Sequence, residues 1–304
     1  MSVTPSKDPW GDFWALNARG SAAGGSNGCL PQRWAAIERA LSGQWFAFAD
    51  SLASDAKVVD LATGDGRIMA WMRQKRPDLT CIGIDLSPSL PPAPEGTETR
   101  AGVPMETLPF EDNSMDAVIS QFGFEYGDVA KVTTEIARVL APGGRVGLIV
   151  HRGDGPLLEY YKERRAQLMW ALKEKGSARK ARSLLKDGPT AIDKAASLAG
   201  KIAEQGAKRF GQQSPAWEIP EAIRRTCVMG RRSGVGSIIE TIGVIEGHAL
   251  NEIGRMNSLA GACKTADRRE AINKAFGAHG LEPGETQPLS EPSGRAFADF
   301  ISFS

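Results

Sequence analysis

Two apolar periods alternate along the first half of the chain. Val58-Val59 with Leu61, Cys81-Ile82-Gly83-Ile84, Ala117-Val118-Ile119 and Leu148-Ile149-Val150 are short, β-branched runs. Such runs predict strands covered on both faces. Between them the period changes. Residues 31–52 place Trp34, Ile37, Leu41, Trp45 and Phe48 at spacings of three and four, which predicts a helix whose aromatics face a core. Arg67 to Met72 reads as a second helix start. Alternating strands and helices of this kind predict a doubly wound α/β sheet.

Beyond residue 155 the pattern is helical. Residues 157–175, 191–210 and 238–259 carry helical periodicity, and 266–280 reads as a helix stopped at Gly280. Two short strands are expected at 285–289 and 296–304. The predicted organisation is N-terminal helices over 1–52, an α/β core over 53–154, a helical insertion over 155–264, and a closing helix and hairpin over 265–304. Trp10 to Leu16 reads as a short amphipathic helix, followed by the Gly/Ser stretch 20–26, a loop. Ser87-Pro88-Ser89-Leu90-Pro91-Pro92-Ala93-Pro94 forbids the helix due after the second strand, because proline lacks the N–H and clashes with the preceding turn.

The chemistry concentrates at one turn. Asp60 sits near the end of the first strand, and Ala62-Thr63-Gly64-Asp65-Gly66 leads into a helix. Two glycines let backbone pass close to a ligand. A dinucleotide fingerprint needs G-x-G-x-x-G. Counted from Gly64 its third glycine falls on Met69; counted from Ala62 it falls on Arg67. Nicotinamide-dependent reduction is therefore disfavoured. About twenty residues on, Asp85 ends the second strand, where a carboxylate can accept from both ribose hydroxyls. Leu86 follows it.

These stretches resemble the class I S-adenosylmethionine (SAM)-dependent methyltransferases. Asp60 to Gly66 is similar to their D-x-G-x-G-x-G motif, with Ala62 for the first glycine. Met105-Glu106-Thr107-Leu108-Pro109-Phe110 with Asp112 to Ser120 resembles the "A-E-x-L-P-F … D-x-S-F-D-x-V" signature. Arg138-Val139-Leu140-Ala141-Pro142-Gly143-Gly144 resembles the turn before strand five, where Gly143-Gly144 is expected to end a helix and start a strand. The resemblance covers residues 57–150. It implies a Rossmann-like seven-stranded methyltransferase sheet, SAM as cofactor and a small-molecule methyl acceptor. It implies cofactor contacts from Asp60, Ala62, Gly64, Gly66, Asp85, Leu86, Met105, Glu106 and Gln121. The family's adenine-binding Asp falls on Pro104, so adenine recognition shifts to the Met105 backbone N–H and Glu106. The fourth strand exits as Gln121-Phe122-Gly123-Phe124, not as the Asn-Pro-Pro-Tyr set of adenine-amine and glutamine enzymes. Glu125 and Tyr126 are candidates to meet the acceptor. His151, at the end of the fifth strand, is the candidate general base, the alternative being a histidine bonded to backbone at a strand exit. The N-terminal piece is a candidate lid, and the helical insertion a candidate substrate cap.

Composition narrows the picture little. The 304 residues are 41% hydrophobic and 24% charged, with a net charge of +1, ordinary for a soluble globular chain. Cys29, Cys81, Cys227 and Cys263 lie far apart and, with three histidines, form no set at metal-ligand spacing, so no metal is expected. No signal-peptide pattern or membrane-length apolar run occurs, and a cytoplasmic protein is expected. A homodimer stays open. The insertion is basic, with Arg164, Arg165, Arg179, Arg182, Arg224, Arg225, Arg231 and Arg232 among its charges. A second reading is therefore an RNA-associated or non-catalytic SAM-binding protein, although no RNA-binding motif accompanies the charges. The acceptor has no motif of its own in this sequence.

Overall fold

A computed structural model describes residues 8–20 and 35–304. Trp34 and the Gly/Ser stretch from 21 to 26 lie outside the described residues. The chain forms two compact units. Trp10–Leu158 with Ser258–Ser304 make a sheet unit, and Glu159–Asn257 with Asp8 and Pro9 make a helical unit.

The sheet unit has seven strands: β1 (Lys57–Leu61), β2 (Thr80–Asp85), β3 (Glu98–Ala101), β4 (Met115–Gln121), β5 (Leu140–His151), β6 (Gln287–Ser290) and β7 (Ala296–Phe303). Their order is β3-β2-β1-β4-β5-β7-β6. Strands β1 to β5 pair in parallel, while β7 is antiparallel to both β5 and β6. This is the Rossmann-like α/β sheet expected from the alternation. Order reverses between β1 and β4, which puts the ligand crevice at their carboxyl ends.

The period of two is visible in what each strand buries. Val58, Ile119 and Ile149 pack with Ile37, Leu41, Trp45 and Phe48 of α2 (Ala35–Asp50) and Met69 and Met72 of α3 (Arg67–Lys75). Val59, Leu61, Val118, Leu148 and Val150 pack on the other face with Val132 and Ile136 of α4 (Val129–Val139) and Phe276 of α10 (Arg269–Gly277). Both faces are covered, so the strands read as continuous apolar runs.

Residues 87–94 adopt no helix, as the four prolines require. Two boundaries differ from expectation. Gly143-Gly144 lie inside β5, not before it. The strand begins at Leu140, and Gly143, at φ 78°, absorbs a register shift against β4. The helix expected from 266 begins at Arg269 and ends at Gly277, ahead of Gly280.

The N-terminal helix α1 (Pro9–Gly20) extends beyond the Trp10 to Leu16 expectation. The remaining helices are α5 (Pro156–Met169), α6 (Ser177–Leu185), α7 (Ile192–Phe210), α8 (Pro215–Met229) and α9 (Gly234–Ala266). A π-helical turn over Trp170–Glu174 continues α5. The helical unit has its own core, including Leu168, Leu172, Leu185, Ile223, Ile242 and Leu250. Several of its arginines pair inside the unit: Arg164 with Glu252, Arg182 with Glu246, and Arg224 and Arg225 with Glu221. Among the described residues no helix is long and apolar enough to cross a membrane.

Candidate functional site

The crevice is built around the turn after β1. Ala62, Gly64 and Gly66 all have left-handed φ, at 56°, 57° and 71°. The turn is pinned by Thr63 N–H to Ile84 O at 2.9 Å and Gly66 N–H to Thr63 O at 2.9 Å. Gly64 meets the six-membered ring of Trp14 so closely that a Cβ there would overlap it. At Ala62 a methyl group sits in a conformation that favours glycine. Its Cβ lies 2.5 Å from where Gly123 would carry its own, so Gly123 must lack a side chain. Ala62→Gly removes the left-handed penalty but adds unfolded-state entropy. A net gain of about 0.5–1 kcal/mol is expected from these opposing costs. Denaturant midpoints at an unchanged slope measure it, and a loss would mean that the Ala62 methyl contact dominates.

Asp60 is fully buried at the end of β1. Its Oδ2 accepts from Thr63 Oγ1 at 2.6 Å, whereas Oδ1 has no partner among the described residues. Burial, reinforced by the nearby Asp85 and Asp65 carboxylates, pushes its carboxyl up to about 8. The Thr63 side chain rests on Gly83 of β2, where a Cβ would come within 2.5 Å of Oγ1. Gly83 was not singled out from the sequence; a glycine inside an apolar strand was the available signal.

Asp85 bridges two strand ends. Its Oδ2 accepts from Gly64 N–H at 3.0 Å and its Oδ1 from Ser87 N–H at 2.8 Å. It therefore holds the glycine turn itself. Leu86 beside it is 65% exposed, a flat apolar surface beside the crevice. Asp85→Ala is expected to weaken S-adenosylhomocysteine (SAH) binding by about 10- to 150-fold, the loss of charge-assisted bonds worth about 1.5–3 kcal/mol. It should also lower the melting temperature, because two backbone N–H groups lose their acceptor. Unchanged SAH affinity in calorimetry would leave Asp85 with the turn role alone.

Other candidates are tied down differently. Gln121 Oε1 accepts from the buried Trp45 Nε1 at 2.8 Å, which fixes the amide of Gln121 at the β4 exit. Glu106 Oε1 accepts from Asp128 N–H at 3.0 Å, at the start of α4. Met105 packs against the core on the same side, its Sδ close to Gly127.

At the exits of β4 and β5 the three catalytic candidates come together. Phe124–Tyr126 forms a 3-10 turn that buries Glu125. Glu125 Oε1 accepts from both the backbone N–H of His151, at 2.9 Å, and Nδ1 of its ring, at 2.7 Å. A carboxylate oxygen only accepts, so Nδ1 carries the hydrogen and Nε2 of the neutral ring is the basic nitrogen. The imidazole lies 4.3 Å from the Phe122 ring and 6.1 Å from that of Tyr126. Phe122 has φ 57°, a left-handed conformation that is uncommon off glycine. Ser120 Oγ donates to Leu61 O at 2.9 Å and accepts from Phe124 N–H at 3.1 Å, joining this exit to β1. Beyond the dyad, Asp299 accepts from Arg152 at 2.9 Å and Arg269 at 3.0 Å. Neither Ser120 nor this cluster had a signal in the sequence.

The residues present fit SAM. The unpartnered Asp60 Oδ1 suits an ammonium, and the Asp85 carboxylate beside the turn suits hydroxyl donors.

Residues 59–148 match the family described as "Methyltransferase domain". A demethylmenaquinone methyltransferase of Thermus thermophilus is 33% identical over 98 residues, 30% of this chain and 44% of that protein. The ubiquinone/menaquinone biosynthesis C-methyltransferase UbiE of a Geobacter species is 28% identical over 169 residues, 50% of this chain and 71% of that one. The chain thus spans under half the length of the first curated relatives it matches. Among solved structures, a SAM-dependent methyltransferase from Mesorhizobium loti aligns with a TM-score of 0.33 at 20% identity, covering 38% of this chain and 56% of that one. Residues 59–148 thus match the methyltransferase-domain family, and the strand order around them is that of a Rossmann-like sheet.

Proposed function

We propose that this domain transfers the methyl group of SAM to a small-molecule acceptor, with the Glu125–His151 dyad as general base. The observation that carries the reading is the dyad's place. Buried Glu125 holds His151 at the carboxyl end of β5, in the sheet whose β1 end and turn carry Asp60 and Gly64 and whose β2 end carries Asp85. Bound SAM supplies a methyl group already activated by positive sulfur. The chain's own residues then position and deprotonate. Asp60 receives the ammonium of the methionine part, and Asp85 takes the ribose hydroxyls. Glu125 fixes the histidine tautomer, and His151 Nε2 accepts the acceptor's proton as attack proceeds. Orientation within the crevice contributes the larger share, as it does wherever the electrophile needs no further activation.

The inserted helical block, residues 155–264, is proposed to contribute acceptor selectivity, on the ground of its position in the chain between β5 and the closing hairpin. The reading of that block as an RNA platform is weakened by its internal ion pairs, which leave fewer arginines for phosphate. Turnover of labelled SAM against metabolite pools, with mass spectrometry of the product, tests the activity. Incorporation into a small molecule supports it. Label only in RNA or protein overturns the small-molecule assignment.

A further inference from the structure

We infer that Arg269 is the positioning residue of the Glu125–His151 pair, its guanidinium supplying the positive charge that holds buried Glu125 as a carboxylate; this rests on the general-base reading above. Arg269 opens α10, and with Ile272 and Phe276 it follows the three- and four-residue spacing of one helix face. Ile272 and Phe276 are buried in the sheet core, so Arg269 stands on the inward face. A cation is disfavoured there on two counts. The first turn carries the positive end of the helix dipole, and the surroundings exclude water. Nη1 of Arg269 is buried with no hydrogen-bond partner among the described residues. Nη2 donates to Asp299 Oδ2 at 3.0 Å, but that carboxylate is shared, since its Oδ1 accepts from Arg152 Nη1 at 2.9 Å. One buried anion thus serves two guanidinium groups.

Glu125 has the complementary deficit. Its side chain is fully buried. Oε1 accepts both N–H groups of His151, while Oε2 is buried without a partner among the described residues. A neutral imidazole brings no charge, and a buried carboxylate needs a cation nearby to stay ionised. The fold brings the two groups together. Phe124, beside Glu125, stacks on Phe276 of α10 at 5.8 Å, and Val150, beside His151, pairs with Asp299 of β7. Burial pushes the Arg269 guanidinium below its ordinary value; the carboxylates of Asp299, Glu125 and Asp267 oppose this, and Arg152 adds to it. Asp267 is engaged by Gly153 N–H, and Arg152 has Asp154 as its second partner. The other titratable neighbour of the ring, Tyr126, is neutral at ordinary pH. Arg269 is the cation left to Glu125. Without it the pair takes up a further proton at higher pH. That proton sits on Glu125 and turns the ring to the Nε2–H tautomer, or it sits on the ring itself. In both cases Nε2 carries a hydrogen, and the lone pair that would accept a proton is gone.

The test is a pH titration of the full chain labelled with nitrogen-15 in histidine, read by NMR of the ring nitrogens. His151→Asn assigns the His151 signals among the three histidines. In the parent, Nδ1 should carry the hydrogen and Nε2 be bare at neutral pH. Arg269→Gln should move the pH at which Nε2 gains its hydrogen upward by about one unit, leaving about tenfold less free base at a given pH on the acid side. Arg269→Lys keeps the charge and should restore the parent midpoint. Asp299→Asn leaves Arg269 to serve Glu125 alone and should move the midpoint down; this variant decides the matter where Arg269→Gln does not fold. The role of Arg269 is overturned, and the dyad stands, if Arg269→Gln leaves the midpoint in place, if Arg269→Lys shifts it as far as Gln does, or if Asp299→Asn moves it up. A parent ring with its hydrogen on Nε2 at neutral pH overturns the dyad, and this inference with it.

Discussion

Replacing Glu125 with Gln is expected to slow methyl transfer by about 100- to 10,000-fold, the range a positioned general base supplies, with SAH affinity changed by less than about twofold. The substitution is close to isosteric. Its amide oxygen can still accept from the His151 backbone N–H, the bond that Glu125 Oε1 makes at 2.9 Å. What it removes is the carboxylate that fixes the Nδ1 hydrogen of His151. The neutral ring can then present either nitrogen, and the proton-accepting lone pair is no longer held in place. His151→Asn should lose a similar factor, and the double variant little more, because the two residues act as one unit. Raising the pH should recover rate in both, as the acceptor ionises without help. A Glu125→Gln rate close to that of the parent would reduce the dyad to a strand-exit contact.

Asp60→Asn is expected to stabilise the fold above neutral pH and to damage cofactor binding. The folded carboxyl is pushed up to about 8 from 3.8, chiefly by burial. Between those values the folded protein holds a proton that the unfolded chain has released. Stability therefore falls as pH rises across that window, by about 1.4 kcal/mol per unit and about 6 kcal/mol in all. Asparagine does not titrate, so the variant should lack this slope. In urea unfolding the variant's advantage should be about 1.7 kcal/mol at pH 5 and grow to several kcal/mol at pH 8. Parallel stability profiles would mean that Asp60 does not titrate in this window. The same group predicts proton release when SAH binds near pH 7, because the ligand's ammonium favours the carboxylate. Binding heats should then vary with the buffer's ionisation enthalpy. Asp60→Asn should abolish that variation and weaken SAH binding.

The sheet was legible because its signals are local. Val58-Val59, Ile82 to Ile84 and Leu148 to Val150 announce strands through burial on two faces, and Pro88 to Pro94 announces a loop through missing N–H groups. The glycine turn was legible for the same reason. The dyad was half legible. Glu125 and His151 each stood at a strand exit, but they are joined across 26 residues, and no period or spacing encodes that. Trp14 on Gly64 is likewise a tertiary fact. In the helical unit α6 and α8 went unread. Helix α8 carries Pro220 in its interior, which removes the N–H that would bond to Ala216 O. Gly206 of α7 packs against that same carbonyl, an approach only a glycine allows. Proline read locally as a breaker is here accommodated by a neighbour far along the chain.

The central claim is that the crevice between β1 and β4 is a SAM site. Isothermal calorimetry of the protein with SAM, SAH and NADH tests it most directly. SAM and SAH should bind with one site per chain, and Asp85→Ala should weaken both, while NADH gives no binding heat. Tight NADH binding with no SAM or SAH signal would contradict the account.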